Sequence, residues 1–114
     1  MSGDANPLSG ERMVRNNDVF RRANERIDSV AREYDIRVRV PFICECAESA
    51  CREIVRLTLA QYGEVRSTAR WFVTAPGHES VAGAMVDVIR VGDGYVIVEA
   101  LGDAGDVAER LADR

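Results

Sequence analysis

Residues 36–51 read IRVRVPFICECAESAC, and two patterns meet in them. In the first, Ile36, Val38, Val40 and Phe42 fall on one face of an extended chain, with Arg37, Arg39 and Pro41 on the other. Alternation of this kind predicts a half-buried strand. Pro41 has no N–H to give to a ladder, so the strand ends at a sheet edge or at a bulge. The second pattern is Cys44, Cys46 and Cys51, the only three cysteines of the chain, gathered in one loop.

On the N-terminal side, Met13, Phe20, Ala23, Ile27, Val30 and Tyr34 recur at three- and four-residue steps among Arg, Asn, Asp and Glu. That spacing predicts an amphipathic helix from about Glu11. Its stripe is too short for the three or more heptads of a sustained coiled coil, so docking on the chain's own sheet is the expectation. Residues 1–10, MSGDANPLSG, are small and polar and predict a disordered tail ahead of a domain over 11–114.

On the C-terminal side, Arg52–Leu57 reads as a short strand around Ile54 and Val55. Thr58 and Gln61 have the spacing of a capping box, which predicts a helix from Leu59 to Arg66. Trp71–Thr74 is a further strand, ended by the turn signal Pro76-Gly77. Met85–Val91 and Tyr95–Leu101 flank Gly92-Asp-Gly94 and predict a β-hairpin. Val107, Ala108 and Leu111 mark a terminal helix within Asp103–Arg114. The expected fold is α+β: a small, mostly antiparallel sheet with a long N-terminal, a short central and a short C-terminal helix, stabilised by zinc.

At 114 residues, 46% hydrophobic and 30% charged, the chain has the size and make-up of one folded domain. All fifteen basic residues are Arg, yet the net charge is −4, which argues against a nucleic-acid coat. No run of apolar residues suggests a leader or a membrane span, so the expected location is the cytoplasm. Thiols stay reduced there, and clustered cysteines then read as metal ligands or redox groups before they read as disulfides.

Cys44, Cys46 and Cys51 supply three soft ligands and His78, the only histidine, supplies a fourth. Four ligands of this kind make a closed tetrahedral zinc site, provided that the Pro-Gly turn folds His78 over the cysteine loop. A closed site leaves no position for water or substrate, so the zinc is read as structural and no catalytic residue is assigned. Two other readings fit the same residues: inert buried thiols with a turn-capping His78, and a redox switch built on the thiols. Glu45, Glu48 and Glu79 are candidates to orient the imidazole, or simply keep the loop soluble.

The usual catalytic motifs are absent, namely GxSxG, GxxxxGK[ST] and GxGxxG after a strand. A small enzyme would need a cavity near His78 lined by Glu79 and Arg70. Arg37, Arg39, Arg52, Arg56, Arg66 and Arg70 form the one dense basic set, a solvated sheet face or a surface for a partner. By elimination the chain reads as a zinc-stabilised interaction or regulatory module. Its expected partner is a protein, met through the first helix or the Arg-bearing face, with RNA a poorer fit. Trp71, Phe72 and Phe42 are read as core.

Phe42-Ile-Cys-Glu-Cys46, Cys51, Leu57-Thr-Leu-Ala-Gln-Tyr62, Val65-Arg66, Phe72-Val73 and Pro76-Gly-His78 together resemble a group of short, uncharacterised actinobacterial proteins. Asn24-Glu-Arg-Ile27 and Tyr95-Val-Ile-Val-Glu99 extend the resemblance over most of residues 16–100. It implies a small Cys3His protein of bacterial origin, with His78 paired to the cysteines, and says nothing of a substrate. Gly63 departs from the group's pattern and weakens the expected central helix.

Overall fold

A computed structural model describes residues 9–113. The element order is α1 (Gly10–Glu33), β1 (Val40–Ile43), β2 (Ile54–Leu57), α2 (Leu59–Arg66), β3 (Trp71–Thr74), β4 (Val86–Val91), β5 (Val96–Ala100) and α3 (Gly102–Ala112). This is the expected α+β arrangement of three helices, the first one long. The strands divide into two antiparallel sheets rather than one: β1 pairs with β2, and β3, β5 and β4 lie in that order. Most of the expected tail, residues 1–8, lies outside the described residues. Ser9 belongs to the first helix as its N-cap, its side chain accepting from the Arg12 amide at 3.1 Å.

The strand expected from Ile36 begins four residues later, and the cause lies at the end of α1. Asp35 adopts φ 55°, and the amides of Asp35 and Ile36 return to the carbonyls of Arg32 and Ala31. This is a Schellman closure with Asp in the left-handed position usually held by glycine. With its N–H committed to the helix, Ile36 cannot open a ladder, and Ile36 and Val38 are exposed at 39% and 71%. Val40 and Phe42 are buried as expected, and Pro41 lies exposed between them in an edge strand.

The three-stranded sheet has a core on each face. One is built on Phe72, Val96, Val98 and Ala100 and is covered by Met13 and Val14 of α1 and by Ala104, Val107 and Ala108 of α3. The other joins Val73 and Ile97 to Val40, Phe42, Val55 and Leu57 of the two-stranded sheet, to Tyr62 and Val65 of α2, and to the three cysteines. Phe42 and Tyr62 stack within it, ring centroids 4.2 Å apart. The α2 capping box is present in both directions, Thr58 Oγ1 accepting from Gln61 N and Gln61 Oε1 from Thr58 N. That cap and the burial of Tyr62 and Val65 carry the helix through Gly63. At the expected hairpin Gly94 takes φ 85°. Gly92 lies under the Tyr95 ring, where a Cβ would come within 2.2 Å of it.

Helix α1 buries a different face from the one its apolar period suggests. Met13 and Phe20 are buried, but Val30 and Tyr34 are 54% and 72% exposed. Asn17, Arg21 and Asn24 are buried in their place. Each donates to backbone carbonyls of another segment, which offsets the cost of burying the polar side chain. The Arg21 guanidinium donates to the carbonyls of Ala69 and Ala108 and pairs with Asp18 at 2.8 Å. Among the described residues no helix is long and apolar enough to cross a membrane.

Candidate metal centre

The cysteine loop joins β1 to β2, and His78 follows β3. Two backbone features bring them together. The Glu45 amide donates to the Val73 carbonyl at 2.7 Å, which lays the start of the loop along the outer edge of β3. Ala75-Pro76-Gly77-His78 then makes a type II turn, the His78 amide donating to Ala75 O at 3.0 Å with Gly77 at φ 90°. The turn delivers His78 over the loop, as the sequence required.

Cys44, Cys46, Cys51 and His78 converge, their ligand atoms all within 4.8 Å of one another. Nδ1 of His78 lies 3.6 Å from Cys44 Sγ and 3.4 Å from Cys51 Sγ. A tetrahedral ion bound at about 2.3 Å to sulfur and about 2.0 Å to nitrogen sets those atoms roughly 3.5 Å apart. The four side chains are therefore positioned to bind a metal ion. The three sulfurs are buried, with the cysteines 0%, 1% and 7% exposed in chain order.

Backbone amides are aimed at two of the sulfurs. Ala75 N–H donates to Cys44 Sγ at 3.1 Å and Glu53 N–H to Cys51 Sγ at 3.5 Å. Such bonds favour thiolate and orient it as a ligand. In the metal-free protein the three thiols share their protons unequally. Cys46 is lowered to about 5, first by the hydrogen bond from Cys44 and against the effect of burial. Cys44 is pushed up by the same hydrogen bond and by burial, and Cys51 is raised by burial first.

Glu45 does not orient the imidazole. In the extended Cys44-Glu45-Cys46 segment successive side chains point to opposite sides, so with both sulfurs facing His78 the carboxylate faces the interior. Glu45 is fully buried. Its two oxygens accept from Asn24 Nδ2 at 2.9 Å, Tyr62 OH at 2.7 Å, Val73 N–H at 3.0 Å and Arg66 Nη2 at 3.2 Å. One side chain thus ties α1, α2 and β3 to the metal loop. Asn16 and Asn17 add bonds from α1 to the carbonyls of Ala47 and Glu45.

Asn24 closes the outer edge of β1, its amide oxygen accepting from Ile43 N–H and its Nδ2 donating to Ile43 O, at 2.8 and 2.7 Å. Its position on α1 held no apolar signal that would have revealed this. Glu48 and Glu79 are engaged by backbone, accepting from the amides of Ala50 and Gly77.

The arginines do not form one face. Arg66 turns inward to Glu45 and lies over the Tyr62 ring at 5.3 Å. Arg70 pairs with Asp106 and Glu109 of α3 at 2.7 and 2.8 Å. Arg39 reaches Asp93 and Arg37 reaches Asp35. A surface cavity of about 400 Å³ does adjoin His78, but it is lined by Glu48, Cys51, Arg52, Glu53 and Val81 rather than by Glu79 and Arg70. Comparison of the chain with protein-family models, with curated proteins and with solved structures returned no match.

Proposed function

We propose that this protein is a small zinc-binding module in which Cys44, Cys46, Cys51 and His78 hold one zinc ion in a structural role. The observation that carries this reading is the meeting of three buried sulfurs and Nδ1 of the only histidine within 4.8 Å of one another, with Cys44 and Cys51 at the distance from Nδ1 that a tetrahedral ion would impose. Zinc suits a donor set of three thiolates and an imidazole better than the hard cations, which prefer oxygen. Four protein ligands leave no coordination position for substrate, so the module acts by binding rather than by catalysis. We extend the same reading to the short actinobacterial proteins that share the FxCEC, Cys and PGH pattern.

The partner we assign is a protein docking on α1. Beside its C-terminal half lies an open apolar groove of about 550 Å³ lined by Ile27, Val30, Ala31, Tyr34, Ile36 and Val40. Elemental analysis of the purified protein, with thermal unfolding before and after chelation, tests the zinc. One equivalent of zinc and a large loss of stability on chelation support the reading. Absence of bound metal returns the cysteines to packing or redox chemistry.

One arrangement favours a second reading, a thiol-based sensor: the three sulfurs lie within 4.8 Å of one another, and the hydrogen bond from Cys44 lowers Cys46 toward the thiolate, which is the oxidisable form. Mild peroxide should then consume thiols and release zinc together; thiols that survive in the zinc-loaded protein would exclude it.

A further inference from the structure

The strand edges of this fold are managed unequally. The outer edge of β3 is occupied by Glu45, whose amide and carboxylate bond to both backbone groups of Val73. The outer edge of β1 is closed by the Asn24 side chain at Ile43 and by Pro41, which has no donor. The outer edge of β4 pairs with no strand among the described residues, although β4 is six residues long and almost wholly exposed. Val88, Ile89 and Val91 are exposed at 50%, 39% and 73%.

We propose that β4 is the surface through which two copies of this protein associate, antiparallel, about a twofold axis at Val88. The backbone sets the register. Hydrogen bonds Leu101 N–H to Met85 O and Gly92 N–H to Tyr95 O fix which β4 residues face β5. By alternation the peptide groups of Asp87 and Arg90 face β5, and those of Val86, Val88 and Val91 face outward.

A bulge between Val88 and Arg90 leaves Val88 opposite Val98 and Arg90 opposite Ile97, with Ile89 extra. It puts Asp87 and Arg90 on one face of the sheet and Val86, Val88 and Val91 together on the other, which a regular strand could not do. Two β4 strands centred on Val88 therefore place Val88 against Val88, Val86 against Val91 and Asp87 against Arg90, the last pair twice.

Both faces of that seam match. The valines extend the apolar face that Val96, Val98 and Ala100 already form. On the opposite face, Asp87 stands across from Glu99, two like charges side by side in the single chain. The second copy sets a guanidinium beside them, its own Arg90 being 43% exposed at the side chain and engaged in an exposed bridge to Glu64 at 3.2 Å. Opposite charges in cross-strand positions stabilise a pair, and like charges destabilise it. A strand whose charges complement its own reversal is suited to a second copy more than to an unrelated chain. The association is independent of the metal reading.

Sedimentation velocity on the zinc-loaded full chain tests this. The unmodified protein should dimerise, while Asp87→Arg and Arg90→Asp each set like charges together twice and should raise the dissociation constant at least ~10-fold. The double variant Asp87→Arg/Arg90→Asp should restore the dimer. Mixing the two single variants should also give a dimer, since a chain with two arginines then meets one with two aspartates. An unmodified protein that stays monomeric at about 500 µM, well above the micromolar range of a specific complex, overturns the proposal. So does a dimer indifferent to both single variants, or one that the double variant fails to restore.

Discussion

The Tyr62 hydroxyl donates to the Glu45 carboxylate across 2.7 Å, and neither side chain is exposed at all. The residue between the two cysteines of the CxC pair is thus the polar centre of the interior rather than a solubilising loop residue. Burial, and then the charge of Glu45, raise the Tyr62 phenol well above its ordinary range, so it stays a donor. Since Glu45 is flanked by Cys44 and Cys46, any distortion of the metal loop is transmitted to α1, α2 and β3 through its four hydrogen bonds.

Replacing Glu45 should therefore cost far more than its loop position suggests. Glu45→Ala takes the ion-pair partner from Arg66 and the acceptor from the buried Val73 amide and should destabilise by about 3–5 kcal/mol, the range for breaking a buried pair. Tyr62→Phe removes one hydrogen bond and keeps the Phe42 stack, and should cost about 1–2 kcal/mol. Urea denaturation of zinc-loaded protein measures both, and a Glu45→Ala cost below that of Tyr62→Phe would contradict this account.

Asn24 offers a test of geometry at nearly constant shape. Asn24→Asp keeps the acceptor for the Ile43 amide but loses the donor to Ile43 O and sets a second carboxylate beside Glu45 Oε2, 2.9 Å from Nδ2 in the native protein. It should destabilise by roughly 2–3 kcal/mol or more. Asn24→Asp should be at least as harmful as Asn24→Ala by thermal unfolding at pH 7. A near-neutral Asn24→Asp would mean that Asn24 does not hold the edge of β1.

Proton release should accompany metal loading. At pH 7 Cys46, at about 5, is already thiolate, whereas Cys44 and Cys51 lie above the ordinary thiol value of 9.0 and keep their protons. Each ion should displace about two protons at that pH, so affinity should rise about a hundredfold per pH unit between roughly pH 7 and 9. Titration calorimetry in buffers of different ionisation enthalpy counts them.

The metal-free fold has its own pH signature. The raised pKa values of Cys44 and Cys51 contribute stability that is present below pH 9 and lost as pH rises toward their folded values. The depressed Cys46 contributes stability present above 9 and lost as pH falls through about 5. Zero protons released at pH 7 would contradict the thiol arrangement.

Gly63 should be improvable. It has ordinary helical backbone, and an added Cβ would meet only Nη2 of the flexible Arg32 side chain, at 3.4 Å. Gly63→Ala should raise stability by about 0.5–1 kcal/mol, because alanine loses less backbone freedom on folding. A lower melting temperature for Gly63→Ala would show that the Arg32 contact to the Leu59 carbonyl matters more than helix propensity.

The elements that sequence reading located well are those with local causes. The Thr58–Gln61 box, the Gly92–Gly94 turn and the Pro76–Gly77 turn each carry their own geometry, and α2, the hairpin and the placement of His78 follow from them. The cluster of Cys44, Cys46, Cys51 and His78 was legible because its residue types are rare and few. What escaped was decided at a distance. Asn17, Arg21 and Asn24 resemble the solvent face of α1 until β1, the cysteine loop and α3 present carbonyls to them. Glu45 resembles a loop acid until the alternation of the CxC segment turns it inward. Apolar periodicity is blind to both, because it assigns polar residues to water.

Joint binding of zinc by Cys44, Cys46, Cys51 and His78 is read from X-ray absorption at the zinc edge of the purified protein. Three sulfur scatterers at about 2.3 Å and one nitrogen at about 2.0 Å are expected, with the nitrogen replaced in His78→Ala. A shell dominated by oxygen and nitrogen, or protein that retains no zinc, would contradict it.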